Sequence, residues 1–366
     1  MRLSIFTAVP IVAITLASSA IAQSSNHDPA SPPPGFQPPS AQKPPRAAPD
    51  MQAVLDALAR LGAKPIHSQS PAQVRAGPTP ADAVRQVMAS RGMSTAPDPA
   101  VVTRDFAYGS NPWQKVRVYT PVAGVSRNRP LIVYFHGGGW VIADLDVYDA
   151  APRMLSKKLN AVVVSVEYRH APEYKFPAQH DDAVAAYRWT LGHAPSWGAN
   201  VGRLAFAGES AGGNLAINTA ISARDQHLPM PRHILSVYPI ANSSMSLSSR
   251  YTAANAKPLS TPDLPWFGYY YTRRPNDLRD PRINLVNANL RRLPPVTIVS
   301  AQIDPLLSDS ITLTAALRRA GVSVEQRTYP GVTHEFFGMG SVVQGAAQAN
   351  AWAVARLRPA LRSPAR

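Results

Sequence analysis

The stretch that decides the fold is RLAFAGESAGGN, residues 203–214. It runs from an apolar segment of strand character, through a serine between two glycines, into small residues suited to a helix. Gly and Ser are both common, so G-x-S-x-G alone says little, and a plain glycine-rich turn reads the same way. Between a buried strand and a helix, the pattern describes a sharp turn that presents a serine hydroxyl at its tip.

The surrounding chain supplies that setting. VRVYT (116–120), LIVYF (131–135), AVVVSV (161–166), RLAFA (203–207), HILSVY (233–238), VTIVSA (296–301) and VEQRTY (324–329) predict strands. Several are continuous apolar runs, as strands buried on both faces should be. Helical stretches at 183–191, 215–224 and 311–320 alternate with them. The alternation predicts an α/β fold: a mostly parallel central sheet with helices on both faces. The first two strands, close in sequence, predict an antiparallel start. MQAVLDALARLG (51–62) places Val54, Leu55, Leu58 and Leu61 on one helical face, and a second helix opens at Thr79-Pro80-Ala81-Asp82. The segment 51–95 and an insert at about 240–280 are expected to form a helical cap on a catalytic domain spanning 96–366.

Of the 366 residues 45% are hydrophobic, enough for a sizeable core. The opening MRLSIFTAVPIVAITLASSAIAQ carries one cation, Arg2, then an apolar stretch and Ala20-Ile21-Ala22. This predicts a signal peptide over 1–22, cleaved near Ala22-Gln23, and export to the periplasm or beyond. Residues 23–50 read as a proline-rich, disordered linker. The chain has no cysteine, which excludes disulfides, thiolate metal sites and a lipid-modified N-terminal cysteine. The net charge of +15 is scattered and accompanies no nucleic-acid motif, so it predicts a basic surface and no nucleic-acid partner.

A serine nucleophile needs a base, an acid and donors for the oxyanion. On this layout Ser210 stands between strand and helix, and the N–H of Ala211 lies at the helix N-terminus. Of nine histidines, His334 in GVTHEFFGMG follows the last strand and stands downstream of the serine. That matches the order serine, acid, histidine. Asp304 stands three residues past the strand that ends at 301, whereas Asp309 is already in the next helix, so Asp304 is the better acid. HGGGW (136–140) ends a buried strand, and the N–H groups of Gly138 and Gly139 would complete an oxyanion hole with Ala211.

HGGGW at 136–140, YRHAPE at 168–173, GESAGGN at 208–214, DPL at 304–306 and HEFF at 334–337 together resemble the bacterial hormone-sensitive lipase-like carboxylesterases of the α/β-hydrolase superfamily. The resemblance runs from about residue 51 to the C-terminus. It implies a cofactor-free and metal-free serine esterase for short to medium acyl esters, with Ser210, Asp304 and His334 as triad. Two departures, His170 where leucine is usual and Glu209 where aspartate is commoner, read as local packing. The expected partner is a small-molecule ester; no transmembrane segment is expected in the mature chain, and a homodimer is left open. Two other functions stay open: a small-molecule binding protein without turnover, and a hydrolase of a lactone, amide or carbamate. Trp266, Phe267, Tyr269, Tyr270 and Tyr271 either pack the insert onto the core or wall the acyl site.

Overall fold

The structure is a computed structural model that describes residues 45–124 and 127–362. The expected signal peptide and all but the last six residues of the expected linker lie outside them. No helix among the described residues is long and apolar enough to cross a membrane.

Eight strands form one sheet: β1 (Val101–Ala107), β2 (Lys115–Pro121), β3 (Arg129–Phe135), β4 (Val162–Val166), β5 (Ala199–Glu209), β6 (His233–Val237), β7 (Val296–Ile303) and β8 (Val324–Thr333). Their order is β1-β2-β4-β3-β5-β6-β7-β8. β1 and β2 pair antiparallel, β2 runs antiparallel to β4, and every other neighbour is parallel. The sheet therefore differs from expectation in two ways. The strand at 101–107 was not foreseen, because VVTRDFA lies at the sheet edge and is mostly exposed, so it carries no apolar run. The strands at 116–120 and 131–135 are not partners; β4 lies between them, since the parallel crossover from β3 places its successor on that side.

The helices are α1 (Pro49–Arg60), α2 (Pro71–Ala76), α3 (Pro80–Ser90), α4 (Ala150–Leu159), α5 (Ala178–His193), α6 (Ala211–Asp225), α7 (Ser248–Thr252), α8 (Asp263–Tyr271), α9 (Leu307–Arg319) and α10 (Gln344–Ala360). Alternate residues of the buried strands feed two cores. Leu131, Val133, Phe135 and Phe206 join α5, α6 and α9 on one face; Ile132, Tyr134, Val163 and Ala205 join α4 and α10 on the other. This two-sided burial is why the strand sequences show unbroken apolar runs.

The N-terminal helices divide between two tasks. Met51, Val54 and Ala57 of α1 and Val87 of α3 belong to the core shared with α10 and with Val332 and Phe336 beside His334. Thr79 and Asp82 close a capping box at the start of α3, as the sequence there suggested. The linker ends earlier than expected: Ala48 N–H donates to Gly331 O, and α1 is already under way at Pro49. The unforeseen α2 carries its own capping box, Ser70 with Gln73, in the readable form S-P-A-Q. From α2, Arg75 donates to the carbonyls of Val141 and Ala171 and pairs with Glu173. The insert helix α8 is tied to the chain just before α2: His67 Nδ1 lies 2.7 Å from Asp263, and Trp266 Nε1 donates to Gln69 O.

Candidate active site

The turn after β5 has the geometry its glycines require. Ser210 holds φ 56° and ψ −118°, a strained conformation for a residue with a side chain. Its N–H is anchored to Val237 O at 2.8 Å. A Cβ at Gly208 would stand 2.2 Å from Gly212 O, and one at Gly212 would stand 2.0 Å from Phe135 O. Only glycine lets β5, α6 and the end of β3 meet this closely, which is the physical content of G-x-S-x-G here.

The three expected side chains converge. His334 Nε2 lies 3.0 Å from Ser210 Oγ, and His334 Nδ1 lies 2.7 Å from Asp304 Oδ2. All three residues are buried. The other oxygen of Asp304 accepts the Leu306 N–H at 2.7 Å, which fixes the carboxylate. Burial disfavours the His334 imidazolium, but Asp304 and Glu335 outweigh it and hold the pKa above the ordinary histidine value. Asp309, the competing acid, is committed elsewhere: it pairs with Arg250 at 2.7 Å and accepts the N–H groups of Ala241 and Asn242.

Beside Ser210, Gly138 and Gly139 both adopt positive φ at the end of β3. No hydrogen bond among the described residues uses the N–H of Gly138, Gly139 or Ala211. Three free donors at one edge suit a developing oxyanion. Phe267 of α8 rests on this loop, so close that a Cβ at Gly139 would come within 2.3 Å of its ring. The other insert aromatics split between roles. Tyr271 stacks on Trp140 at 4.3 Å and Trp266 is buried, so these two fasten α8, whereas Tyr269 is 74% exposed.

A polar network that the sequence did not disclose surrounds the triad. Glu209 accepts hydrogen bonds from Tyr134 and Tyr238, and burial pushes its pKa up to about 7. Glu335, directly after His334, takes the hydroxyl of Tyr148 at 2.6 Å. Glu209 was expected to serve packing alone; it also adds negative potential at His334. Its adjacency to Ser210, like that of Glu335 to His334, was the available signal.

Among the described residues one grouping has ligand atoms close enough for a metal ion: His136, Glu167 and His170, all within 4.8 Å of one another. Glu167 Oε1 lies 3.0 Å from each imidazole Nε2; burial disfavours the His136 imidazolium, but this carboxylate outweighs it and leaves the His136 pKa raised. His170, the unusual residue of YRHAPE, packs against Glu167 and the ring of His136, the first residue of HGGGW.

An open α/β sheet with a serine elbow, a histidine–aspartate relay and backbone donors at its carboxyl edge defines an α/β serine hydrolase. Residues 132–338 match the family described as "alpha/beta hydrolase fold", and the chain belongs to it, in its hormone-sensitive lipase-like branch. It is 38% identical over 257 residues to the carboxylesterase NlhH of Mycobacterium tuberculosis, covering 68% of this chain and 79% of that protein. It is 34% identical over 239 residues to an ethyl acetate hydrolase of Pseudomonas putida, covering 63% and 74%. Among solved structures it resembles a thermostable esterase from Pseudomonas putida ECU1011 with a TM-score of 0.78 at 28% identity, over 88% of this chain and all of the other.

Proposed function

We propose that the protein is a serine carboxylesterase that hydrolyses short to medium acyl esters through an acyl-enzyme on Ser210. The family makes it a carboxylic ester hydrolase. The observation that carries the mechanism is the continuous relay from Ser210 Oγ through His334 to Asp304, at 3.0 and 2.7 Å. In this reading His334 takes the Ser210 proton as the oxygen attacks the ester carbonyl, and returns it to the departing alcohol. Asp304 holds the Nδ1–H tautomer and stabilises the imidazolium. The N–H groups of Gly138, Gly139 and Ala211 receive the oxyanion, and water, activated by the same histidine, clears the acyl group.

Phe267 over Gly139 supports a closed acyl site. The segment around α2 and the insert helix α8 act together as its cover, because Arg75, His67 and Trp266 bind them to each other and to the loop. The apolar opening of the sequence, with Arg2 before it and Ala20-Ile21-Ala22 after it, supports export as part of this proposal. The deciding experiment is a panel of ester, lactone, amide and carbamate substrates with the wild type and Ser210→Ala. Ester turnover that the substitution abolishes, in a protein with unchanged circular dichroism, supports the assignment. More than a few per cent residual activity overturns the nucleophile, and preferred turnover of another bond moves the substrate class.

A further inference from the structure

The mechanism leaves the carboxyl group of Glu335 beside the reaction unused. Glu335 follows His334 directly, and its Oε1 lies 3.9 Å from His334 Nε2, the nitrogen that serves Ser210. Glu335 holds φ 70°, a left-handed conformation that favours glycine. A carboxylate kept at a glycine-favouring position next to the base calls for a functional reason.

Its surroundings indicate one. Tyr148 OH reaches both Glu335 oxygens at 2.6 Å and is the only hydrogen-bond donor to that carboxylate among the described residues. A tyrosine has one proton to give, while a carboxylate offers about four acceptor sites. Glu335 thus keeps unused acceptor capacity, and its side chain retains 18% exposure. Tyr148 is as close on the other side: a Cβ at Gly137, the residue before the oxyanion glycines, would stand 2.2 Å from its hydroxyl. The Tyr148–Glu335 pair therefore bridges the oxyanion loop and the catalytic histidine.

The departing alcohol oxygen must come within hydrogen-bond reach of His334 Nε2, because that nitrogen returns its proton. With Glu335 Oε1 3.9 Å from the same nitrogen, a group attached to that oxygen comes within reach of Glu335. A plain alkyl group offers the Glu335 carboxyl no hydrogen-bond partner. A hydroxyl on the next carbon supplies a donor at that place.

We propose that Tyr148 and Glu335 form the alcohol subsite, and that it selects esters of polyols, with a free hydroxyl next to the acylated one, over esters of simple alkanols. The inference rests on the esterase reading above. A hydrogen bond to a charged group discriminates by roughly 10- to 100-fold.

The test compares kcat/KM for glyceryl 1-monoacetate and ethyl acetate in the wild type and in Glu335→Gly. Glycine suits the local backbone, so this variant keeps the turn, and the ratio between substrates removes any general loss of activity. The wild type is expected to prefer the glyceryl ester at least 10-fold, mostly through KM, and the variant to bring the ratio within about 3-fold of unity. A wild type without the preference, or a variant that retains it, overturns the subsite. Equal losses on both substrates would make Glu335 a support for His334 instead, which also overturns it. A wild type that hydrolyses neither ester refutes the parent reading, and Glu335 then has no alcohol to select.

Discussion

Asp309 is locked to Arg250 at 2.7 Å, both side chains being buried, and this pairing leaves Asp304 as the acid for His334. The two aspartates stand five residues apart, on either side of the start of α9, and differ in everything they touch. Asp304→Asn should lower kcat by about 10⁴ with little change in melting temperature, since a mis-set histidine tautomer has that effect in comparable triads. Asp309→Asn should do the reverse, weakening the fold by about 3–5 kcal/mol because Arg250 loses its buried counter-charge. Kinetics and thermal melts on both variants check this, and the opposite ranking would move the catalytic role to Asp309.

The elbow glycines should tolerate nothing larger. Gly212→Ala would drive a methyl group into the Phe135 carbonyl, at 2.0 Å, and His136 O stands only 2.4 Å away. Backbone on both sides cannot yield as a flexible side chain would. Loss of several kcal/mol of stability, or failure to accumulate folded protein, is expected. Near-normal melting and turnover in the variant would contradict the close approach.

The pKa shifts fix two pH dependences of different sign. Catalysis needs neutral His334, whose pKa is raised, so kcat/KM should fall with decreasing pH at a value above the usual histidine midpoint of about 6.5. Glu209 acts on stability. Its folded pKa, near 7, exceeds its unfolded value, so the folded state favours the protonated acid. The stability it contributes is complete below about pH 4.5 and drains away as pH rises toward 7, by up to about 1.4 kcal/mol per unit. Glu209→Gln should flatten that part of the curve in denaturant titrations at pH 5 and pH 7.5; an unchanged slope would assign the loss elsewhere.

Chain-length selectivity should reside in α8. With p-nitrophenyl esters the wild type should peak between acetyl and hexanoyl and lose activity steeply by about dodecanoyl. Phe267→Ala should move the optimum to longer acyl groups, each extra buried methylene then adding about 0.8 kcal/mol of binding. Tyr269→Ala, on the exposed side of the same helix, should leave the profile where it was. A wild-type profile that rises through palmitoyl esters would remove the wall.

Expressed in a Gram-negative host, the protein should be recovered from the periplasm or medium with Gln23 at its N-terminus. Edman sequencing that finds Met1 on a membrane-bound form would reverse this.

Local order in the chain was enough to bring Ser210, His334 and Asp304 to one place. Strand, glycine-flanked Ser210, acid and His334 follow one another with the spacing that a parallel sheet imposes, and residues at successive strand ends are delivered to one edge whatever the packing details. The same logic exposed the two-sided strands, because burial on both faces leaves no polar alternation. What the sequence left undecided depends on contacts between distant segments. β1 escaped notice because an edge strand is held by one ladder and needs no apolar run, and β2 was given the wrong neighbour because closeness in sequence does not settle the strand order. Position after the strand favoured Asp304, but what holds Asp309 away, Arg250 and the N–H groups of Ala241 and Asn242, comes from the insert. Tyr148 meets Glu335 across 187 residues, and Phe267 meets Gly139 across more than a hundred. Such pairs form only once the sheet has drawn its loops together, so no local pattern records them.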